Sequence, residues 1–168
     1  MSAQNLIDCL MQQAEQSPQT ALFTAGPRTI SFAEMNRKTN QLANALKSLG
    51  VGPQDRLALL SKSQIDSALL IFACMKIGAV GMPINWRFSV DEVRFVLEDS
   101  AANVLIIDTE LLDRVDTRST SAGLRIFTTD GTSPNQQRLD SWLVTFSDQL
   151  PATTLQACKP GSRSCWRS

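Results

Sequence analysis

Arg87 is the residue whose type and position in the sequence best suit the binding of a charged ligand. It lies in the stretch PINWRFSVDE, residues 83–92, between an apolar run and a predicted helix start. A guanidinium binds phosphate oxygens through two parallel hydrogen bonds, and the adjacent helix N-terminus adds positive potential for an anion. In the alternative interpretation Arg87 and Asn85 only close the connection from strand to helix, and Asn85 bonds backbone amides. For this chain by itself we favour that structural interpretation.

The composition excludes several classes of functional site. The 168 residues are 43% hydrophobic, contain 16 basic and 16 acidic residues that cancel, and include no histidine. A nucleic-acid-binding domain normally carries a basic stripe, so no nucleic-acid partner is expected. The absence of histidine excludes imidazole bases and imidazole metal ligands, and the four cysteines show no C-x-x-C spacing. The sequence therefore predicts neither a catalytic residue nor a metal site within the chain.

The sequence shows neither a targeting segment nor a membrane span. The opening residues MSAQNLIDCL have no basic region and carry Asp8 within their apolar part. The longest apolar run, ALLIFACM at 68–75, is much shorter than the roughly 20 residues that cross a bilayer. Cys9 and Cys74 fall in predicted helices, where buried free thiols are expected. We therefore expect a cytoplasmic, reduced protein.

Helical segments alternate with apolar runs along the chain and predict an α/β fold. Continuous runs rich in Leu, Ile and Val are typical of buried parallel strands, and they occur at 56–60, 79–84, 103–108 and 124–129. Helical periodicity occurs between them, and two capping boxes, Ser31–Glu34 and Ser89–Glu92, mark helix starts. This alternation predicts a mostly parallel sheet with helices on both faces. A final amphipathic helix is predicted at 138–146.

The helix predicted from about Gln64 to Ile77 is apolar on nearly all sides, which indicates packing between layers. Phe72 and Met75 are accordingly expected in the core. Lys76 lies near the end of this helix, where its charge suits the helix dipole, and no catalytic role is assigned to it. Trp86 could cover a ligand channel, but packing on the neighbouring helix is the favoured interpretation.

Three segments in a fixed order resemble the N-terminal part of the AMP-forming adenylating enzymes. QDRLA (54–58), ACMKIGAVGMPINWR (73–87) and EVRFVLEDS (92–100) are similar to that family's G-D-x-V-A, A-x-x-K-x-G-A-V-x-x-P-x-N-x-R and E-x-x-x-x-L-x-D-S motifs. The family includes acyl- and aryl-CoA synthetases, luciferase and the adenylation domains of peptide synthetases. The resemblance covers roughly residues 5–157, and the PINWR variant is more similar to the acyl-CoA synthetases. The resemblance implies that the fold is an incomplete N-terminal portion of the family's large domain.

The resemblance also implies a reaction. In this family ATP and a carboxylic acid give an acyl-adenylate and pyrophosphate, and a thiol, usually CoA, then takes the acyl group. The full-length enzymes use ATP, Mg²⁺ and CoA together with a small-molecule acid, and a fatty acid is the expected substrate here. In some members the arginine that matches Arg87 contacts the nucleotide phosphates of CoA. Arg87 is therefore the cofactor-binding candidate.

The C-terminal residues depart from the family pattern. The phosphate loop T-S-G-[ST]-T-G-x-P-K-G should follow the LPATTLQ segment closely, but ACKPGSRSCWRS (157–168) stands there instead. Its residues Lys159, Gly161, Ser162 and Ser164 are suitable types for a phosphate site, without the glycine-rich geometry that lines one with backbone amides. No counterpart of the family's acidic Mg²⁺ ligand, its ribose-binding aspartate or its C-terminal domain with the catalytic lysine is recognised. The chain is therefore expected to be inactive and to need no cofactor of its own.

Two interpretations of the whole chain remain open. In the first, residues 1–157 are the N-terminal portion of an AMP-binding domain and residues 158–168 are an unrelated tail, disordered or frameshifted. In the second, the chain is a non-catalytic interaction or regulatory α/β module. In the first interpretation the later segments that complete the sheets are missing, so apolar surface and strand edges are left uncovered and self-association is expected.

Overall fold

The computed structural model describes residues 5–115, 123–129 and 137–151. A 3₁₀ helix covers Thr109–Arg114, and the other elements follow one another as α1 (Leu6–Gln16), β1 (Ala21–Ala25), β2 (Arg28–Ser31), α2 (Phe32–Ser48), β3 (Arg56–Leu60), α3 (Gln64–Ile77), β4 (Val80–Ile84), α4 (Val90–Ser100), β5 (Val104–Ile107), β6 (Arg125–Thr128), β7 (Gln137–Arg138) and α5 (Leu139–Leu143). The predicted domain boundary after residue 157 and the whole predicted tail lie outside these residues.

The strands form a five-stranded sheet in the order β4-β3-β5-β6-β7, and each neighbouring pair is parallel. The chain passes from β3 to β4 on one side and then crosses to β5 on the other side of β3. Ligands of open α/β sheets bind outside the carboxyl ends of the strands where the winding direction changes in this way. The predicted parallel sheet is confirmed, and its topology places a potential binding site next to the end of β3.

Both faces of the sheet are covered, as predicted. Leu57 and Leu59 of β3 belong to an apolar cluster that packs against α2, α3 and α5. Ala58 and Leu60 point to the opposite face and join a second cluster with α4 and the 3₁₀ helix. Because side chains alternate along a strand, a run in which every residue from Leu57 to Leu60 is buried requires cover on both sides.

A two-stranded antiparallel hairpin, β1–β2, packs on α3 beside the main sheet. Gly26 in its turn has φ of 59°, a left-handed conformation that glycine adopts without strain. The short stretch TALFTAG (20–26), followed by a turn at Gly26–Pro27, predicts β1 and this turn. The sequence does not predict β2, whose four residues are too few and too polar for a strand signal.

The ends of the helices follow the predicted capping chemistry in most cases. The bounds of α3 are the predicted ones, and Gly78 ends it with φ of 73°. The Ser89–Glu92 capping box is present in full. The Ser31 hydroxyl accepts a bond from the Glu34 amide, but the Glu34 carboxylate pairs with Lys38 at 3.2 Å. The prediction of a capping box at Ser31–Glu34 is therefore wrong in one of its two hydrogen bonds, the one from the Ser31 backbone N–H to the Glu34 side chain.

The prediction that α3 is enclosed on all sides is wrong. Met75 and Ile71 are each 37% exposed, whereas Phe72 is buried. α3 lies directly on β4, since a Cβ built on Gly81 would approach the Ile71 Cα to 3.3 Å. β4 is an edge strand of the sheet, so the outer side of α3 extends past the sheet into solvent.

The C-terminal described residues also differ from the prediction. α5 covers only Leu139–Leu143, and it follows the short strand β7. Trp142 of this helix stacks on Phe127 of β6 with ring centroids 4.5 Å apart. One apolar contact region, rather than a long amphipathic face, attaches α5 to the sheet. No helix among the described residues is long and apolar enough to cross a membrane.

Candidate functional site

Polar residues gather at the carboxyl edge of the parallel sheet. Lys62 follows β3, Trp86 and Arg87 follow β4, and Asp108 and Glu110 follow β5. Because parallel strands end at the same edge of a sheet, residues that are distant in sequence meet here. Among these residues only Arg87 has a local signal for binding in the sequence, since the proximity of the other loops depends on strand order.

A cleft of about 880 Å³ opens at this edge, next to the end of β3. Its charged and polar lining comes from the β1–β2 hairpin, α2, the first turn of α3 and the segments that follow β3, β5 and β6, and its apolar lining comes from the sheet and from α2, α3 and α5. Both basic and acidic groups line it, namely Arg28, Lys38, Lys62, Asp66, Asp108 and Glu110. A cleft at the point where the winding direction changes is the expected location for a ligand in this fold.

Asp108 holds the loops of this edge together. One carboxylate oxygen accepts the Lys62 backbone N–H at 2.8 Å, and the other accepts the Thr129 hydroxyl at 2.8 Å. The Asp108 amide donates to the Leu60 carbonyl at 3.0 Å. Asp108 therefore joins the ends of β3, β5 and β6 and has an ordering role. Among the residues that the structure describes, no three His, Cys, Asp or Glu side chains form a group that could hold a metal ion.

Lys62, Trp86, Arg87 and Glu110 form a second polar group, which we call the edge cluster. The Lys62 ammonium lies 2.9 Å from the Glu110 carboxylate and 5.2 Å from the centre of the Trp86 ring. The Lys62 and Glu110 side chains are 42% and 59% exposed, so the pair contributes on the order of 0–1 kcal/mol. The edge cluster is a solvated arrangement that a ligand could rearrange at little cost.

Arg87 lies over Trp86 with its guanidinium carbon 4.2 Å from the ring centre. Its amide donates to the Asn85 side-chain oxygen at 3.1 Å, which is the hydrogen bond that the structural interpretation predicts. Within the described part of the chain, the guanidinium donates no hydrogen bond, and the residue is exposed. Trp86 itself is half-buried against the cluster that includes Val93 of α4. The contact between Arg87 and a phosphate stays a prediction.

The hairpin is tied to α3 at the rim of the same cleft. Arg28 donates to both carboxylate oxygens of Asp66 at 3.2 and 3.1 Å and to the Ser63 hydroxyl at 3.2 Å. Ser63 is the N-cap of α3 and accepts the Asp66 amide at 3.1 Å. Arg28 thus fixes the hairpin against the first turn of α3, on which the cleft also borders.

Lys76 is an important polar residue whose role the sequence does not predict. It is only 2% exposed and donates to four oxygens of α2: Asn36 O at 3.2 Å, Asn36 Oδ1 at 2.8 Å, Thr39 Oγ1 at 2.7 Å and Asn40 Oδ1 at 2.6 Å. Burial lowers the pKa of Lys76 to about 8. Lys76 lies in the last turn of α3, as predicted, and it is buried there because α2 covers that turn. The polar residues of α2 at spacings of three and four, within an otherwise apolar face, are the signal that could have revealed it.

Lys159, Gly161, Ser162 and Ser164, which stand where the family has its phosphate loop without that loop's geometry, lie outside the described residues. The cleft and the edge cluster are therefore the site that the described residues define. Lys62 and Glu110 belong to both the cleft lining and the edge cluster, whereas Arg87 and Trp86 are not among the residues that line the cleft.

Comparison with known proteins gives the family. A sequence profile described as "AMP-binding enzyme" matches residues 10–161. Among curated relatives, the fatty acid–[acyl-carrier-protein] ligase ScoC of Streptomyces coeruleorubidus is 34% identical over 107 residues, which are 64% of this chain and 21% of that protein. The long-chain-fatty-acid–CoA ligase FadD13 of Mycobacterium tuberculosis is 37% identical over 100 residues, which are 58% of this chain and 20% of that protein.

A solved structure gives the same result for the fold. The anthranilate CoA ligase AuaEII, in complex with anthranoyl-AMP, superposes with a TM-score of 0.80 at 25% identity, covering 88% of this chain and 29% of that chain. This chain thus spans about a fifth of the length of the curated relatives described above. The match of fold and sequence over most of the chain agrees with the motifs at 54–58, 73–87 and 92–100, and the chain belongs to the AMP-binding enzyme family.

Proposed function

We propose that this chain is the N-terminal portion of an ATP-dependent ligase that joins a carboxylic acid to a thiol through an acyl-adenylate. The observation that carries the proposal is the family match over residues 10–161. The cleft at the carboxyl edge supports it, because this edge is where α/β sheets bind their ligands. In the full-length enzyme ATP and Mg²⁺ would serve the adenylation step, and CoA would accept the acyl group.

A fatty acid is the acid class that we propose. ScoC and FadD13 are both named for fatty acids, whereas AuaEII is named for an aromatic acid. ScoC is named for an acyl carrier protein as its thiol. CoA is therefore one of the two thiol acceptors for which these three proteins are named, and we retain it as the proposed acceptor.

We propose that Arg87 contacts a phosphate of the thiol cofactor in the full-length enzyme. Two features support this: the guanidinium is exposed without a hydrogen-bond acceptor in the described residues, and Trp86 lies 4.2 Å beneath it. Stacking leaves the N–H edge of a guanidinium free to bond phosphate oxygens. Asn85 further restrains the loop through the Arg87 amide.

We also propose that the 168-residue polypeptide does not form acyl-adenylates by itself. Catalysis of phosphoryl and adenylyl transfer requires groups that surround the phosphates and neutralise developing charge. The sequence contains no T-S-G-[ST]-T-G segment, and the matched parts of ScoC and FadD13 are about a fifth of those proteins. Cytoplasmic location stays a prediction.

The alternative role as an interaction module is supported by apolar side chains on the outer side of α3. Ile71 and Met75 are exposed there beside Val80 of β4, which is 46% exposed. The β4 edge itself is a poor template for pairing. The Val80 backbone N–H donates to the Asp55 carbonyl, toward the interior of the sheet. Backbone groups alternate in direction along a strand, so those of Pro83 point outward, and proline has no N–H to offer a further strand.

We therefore propose self-association through α3, and size exclusion of the Ile71→Lys, Met75→Lys double variant tests it. A shift to monomer is expected, and an unchanged oligomer would contradict it.

Pyrophosphate release tests the ligase proposal. The purified chain with ATP, Mg²⁺, CoA and palmitate or benzoate is expected to release none, and release would contradict the proposed inactivity. In a chimera, residues 1–151 replace the matching N-terminal residues of the M. tuberculosis FadD13. A chimera shown to be folded by circular dichroism is expected to release pyrophosphate with palmitate. If the folded chimera is inactive while the parent enzyme is active, the proposed ligase role is wrong.

A further inference from the structure

We propose that Lys76 and Asn40 form a positioning relay. In this relay the buried ammonium of Lys76 fixes the direction of the Asn40 side-chain amide, and that amide holds the backbone of residues 147–149 against α2. The relay connects the C-terminal turn of α3, the middle of α2 and the last described segment of the chain. It is a property of the fold and does not depend on the proposed ligase activity.

Hydrogen-bond chemistry determines the direction of the Asn40 amide. Its Oδ1 accepts from the Lys76 ammonium at 2.6 Å, and its Nδ2 donates to the Asp148 carbonyl at 2.7 Å. An ammonium only donates and a carbonyl only accepts. The opposite orientation would place two donors together at one end and two acceptors at the other. Lys76 therefore orients the group that binds Asp148.

The α2 helix carries the relay as a row of asparagines spaced by four residues. Asn36 bonds only the Lys76 end, Asn40 bonds both ends, and Asn44 donates to the carbonyls of Ser147 and Gln149 at 2.9 Å each. Residues four apart lie above one another on one side of a helix. The row thus matches three successive backbone carbonyls of the 147–149 segment.

The 147–151 segment has no helix or strand of its own. Its backbone carbonyls at 147, 148 and 149 bond side chains of α2 instead of other backbone groups. Pro151 at its end is buried. Because a segment without regular structure keeps its course only through such contacts, the relay determines how these residues pass along α2.

The buried amine is costly unless it serves such a connection. A methionine of similar length would fill the 2%-exposed position without the desolvation penalty that a buried ammonium carries, but it would leave oxygens of Asn36, Thr39 and Asn40 without their donor. Polar groups retained in cores specify one arrangement in some proteins, at a cost in stability. Here the specified feature is the position of the 147–149 carbonyls. If the proposed function holds, this segment also leads toward the part of the chain where the family places its phosphate loop.

Hydrogen exchange of the full chain at pH 7 tests the relay. The informative variant is Asn40→Asp, which keeps an oxygen for Lys76 and replaces the donor to Asp148 with a second oxygen. We expect the urea midpoint to be maintained while the backbone amides of residues 147–150 exchange about tenfold faster or more, since local opening there becomes easier. Lys38→Met, which changes a partly exposed α2 lysine paired with Glu34, is the matched control and is expected to leave exchange in 147–150 unchanged.

A double-mutant cycle separates a relay from simple helix packing. Lys76→Met and Asn40→Leu are each expected to accelerate exchange in 147–150, and the double variant is expected to add little to either, because both break the same connection. Unchanged exchange in 147–150 in Asn40→Asp would overturn the proposal. Fully additive effects in the cycle would overturn it as well. If Lys76→Met does not fold, the Asn40→Asp result alone decides.

Discussion

Two lysines of this chain show how much the surroundings of a charged group decide its role. Lys62 at the carboxyl edge pairs with Glu110 and lies near Trp86, with its side chain 42% exposed. Lys76 between α2 and α3 is 2% exposed and bonds four oxygens of α2. Both residues occupy conspicuous positions in the sequence, one after a buried strand and one before a helix-ending glycine.

The difference is one of solvation. Water can replace the partners of Lys62 almost without cost, so its contacts are available for rearrangement by a ligand. No water replaces the partners of Lys76, so each hydrogen bond lost there leaves a buried oxygen unsatisfied. The edge cluster is therefore suited to binding, and the buried network is suited to positioning.

The largest effect is expected for Lys76→Met. This change leaves oxygens of Asn36, Thr39 and Asn40 without their donor, and we expect it to lower the free energy of unfolding by about 3 kcal/mol. Urea denaturation followed by circular dichroism measures the effect. A loss below about 0.5 kcal/mol would place Lys76 in the same class as Lys62 and remove the contrast between the two regions.

Asp108→Ala is expected to have the next largest effect. The Asp108 carboxylate accepts the Lys62 amide and the Thr129 hydroxyl, and losing both acceptors should cost about 2 kcal/mol. This variant shows whether part of the carboxyl edge is structural. Asp108→Asn, which keeps one acceptor, serves as the control and should be destabilised less. Equal effects of the two substitutions would contradict a role through both oxygens.

The pH dependence of stability sharpens the description of Lys76. Its pKa is lowered by burial from 10.5 to about 8, so above pH 8 the folded chain releases a proton that the unfolded chain still binds. The free energy of unfolding should therefore rise with pH, by about 1 kcal/mol between pH 8 and 9. Urea denaturation at each pH measures this free energy of unfolding, and the Lys76→Met variant should lack the rise.

Cys74 opposes this trend at higher pH. Burial raises its pKa from 9.0 to about 12, so above pH 9 the unfolded chain loses a proton that the folded chain retains, and stability falls. The comparison is therefore best made below pH 9, or with Cys74→Ala as background. A flat profile between pH 8 and 9 in that background would contradict the lowered pKa of Lys76.

The smallest effects are expected at the edge cluster. Lys62→Met and Glu110→Gln each remove a solvated ion pair, and each should change the free energy of unfolding by less than about 0.5 kcal/mol. Thermal melts at low and high salt measure this, and the difference from the unmodified chain should shrink at high salt. A loss comparable with that of Lys76→Met would show that the edge cluster is a structural rather than a solvated arrangement.

Local patterns in the sequence predicted most of the architecture. The bounds of α3, the Ser89–Glu92 capping box and the buried strands follow from periodicity and helix-end chemistry, which act between residues close in the chain. Predictions that depended on residues from a distant part of the chain were less successful. Met75 was expected in the core because its helix is apolar, but its exposure depends on α3 lying over an edge strand.

The candidate site was predicted only in its single most distinctive residue. Arg87 has a local signal, since arginine beside a helix start suits an anion, and the Asn85 turn bond could be inferred from the same stretch. The meeting of Lys62, Trp86 and Glu110 could not be inferred, because it requires β3, β4 and β5 to end at one edge in a known order. The Asn40–Lys76–Asp148 connection likewise spans separations of 36 and 108 residues.

The sequence by itself determined the alternation of helices and strands, the helix ends and, through its motifs, the family. Each of these depends on hydrogen bonds and apolar spacing within a few neighbouring residues, which one chain segment contains completely. Only the tertiary structure decided which lysine is solvated and which is buried, and which asparagines face the last described segment. Desolvation is a property of everything packed around a group, and those neighbours come from distant parts of the chain.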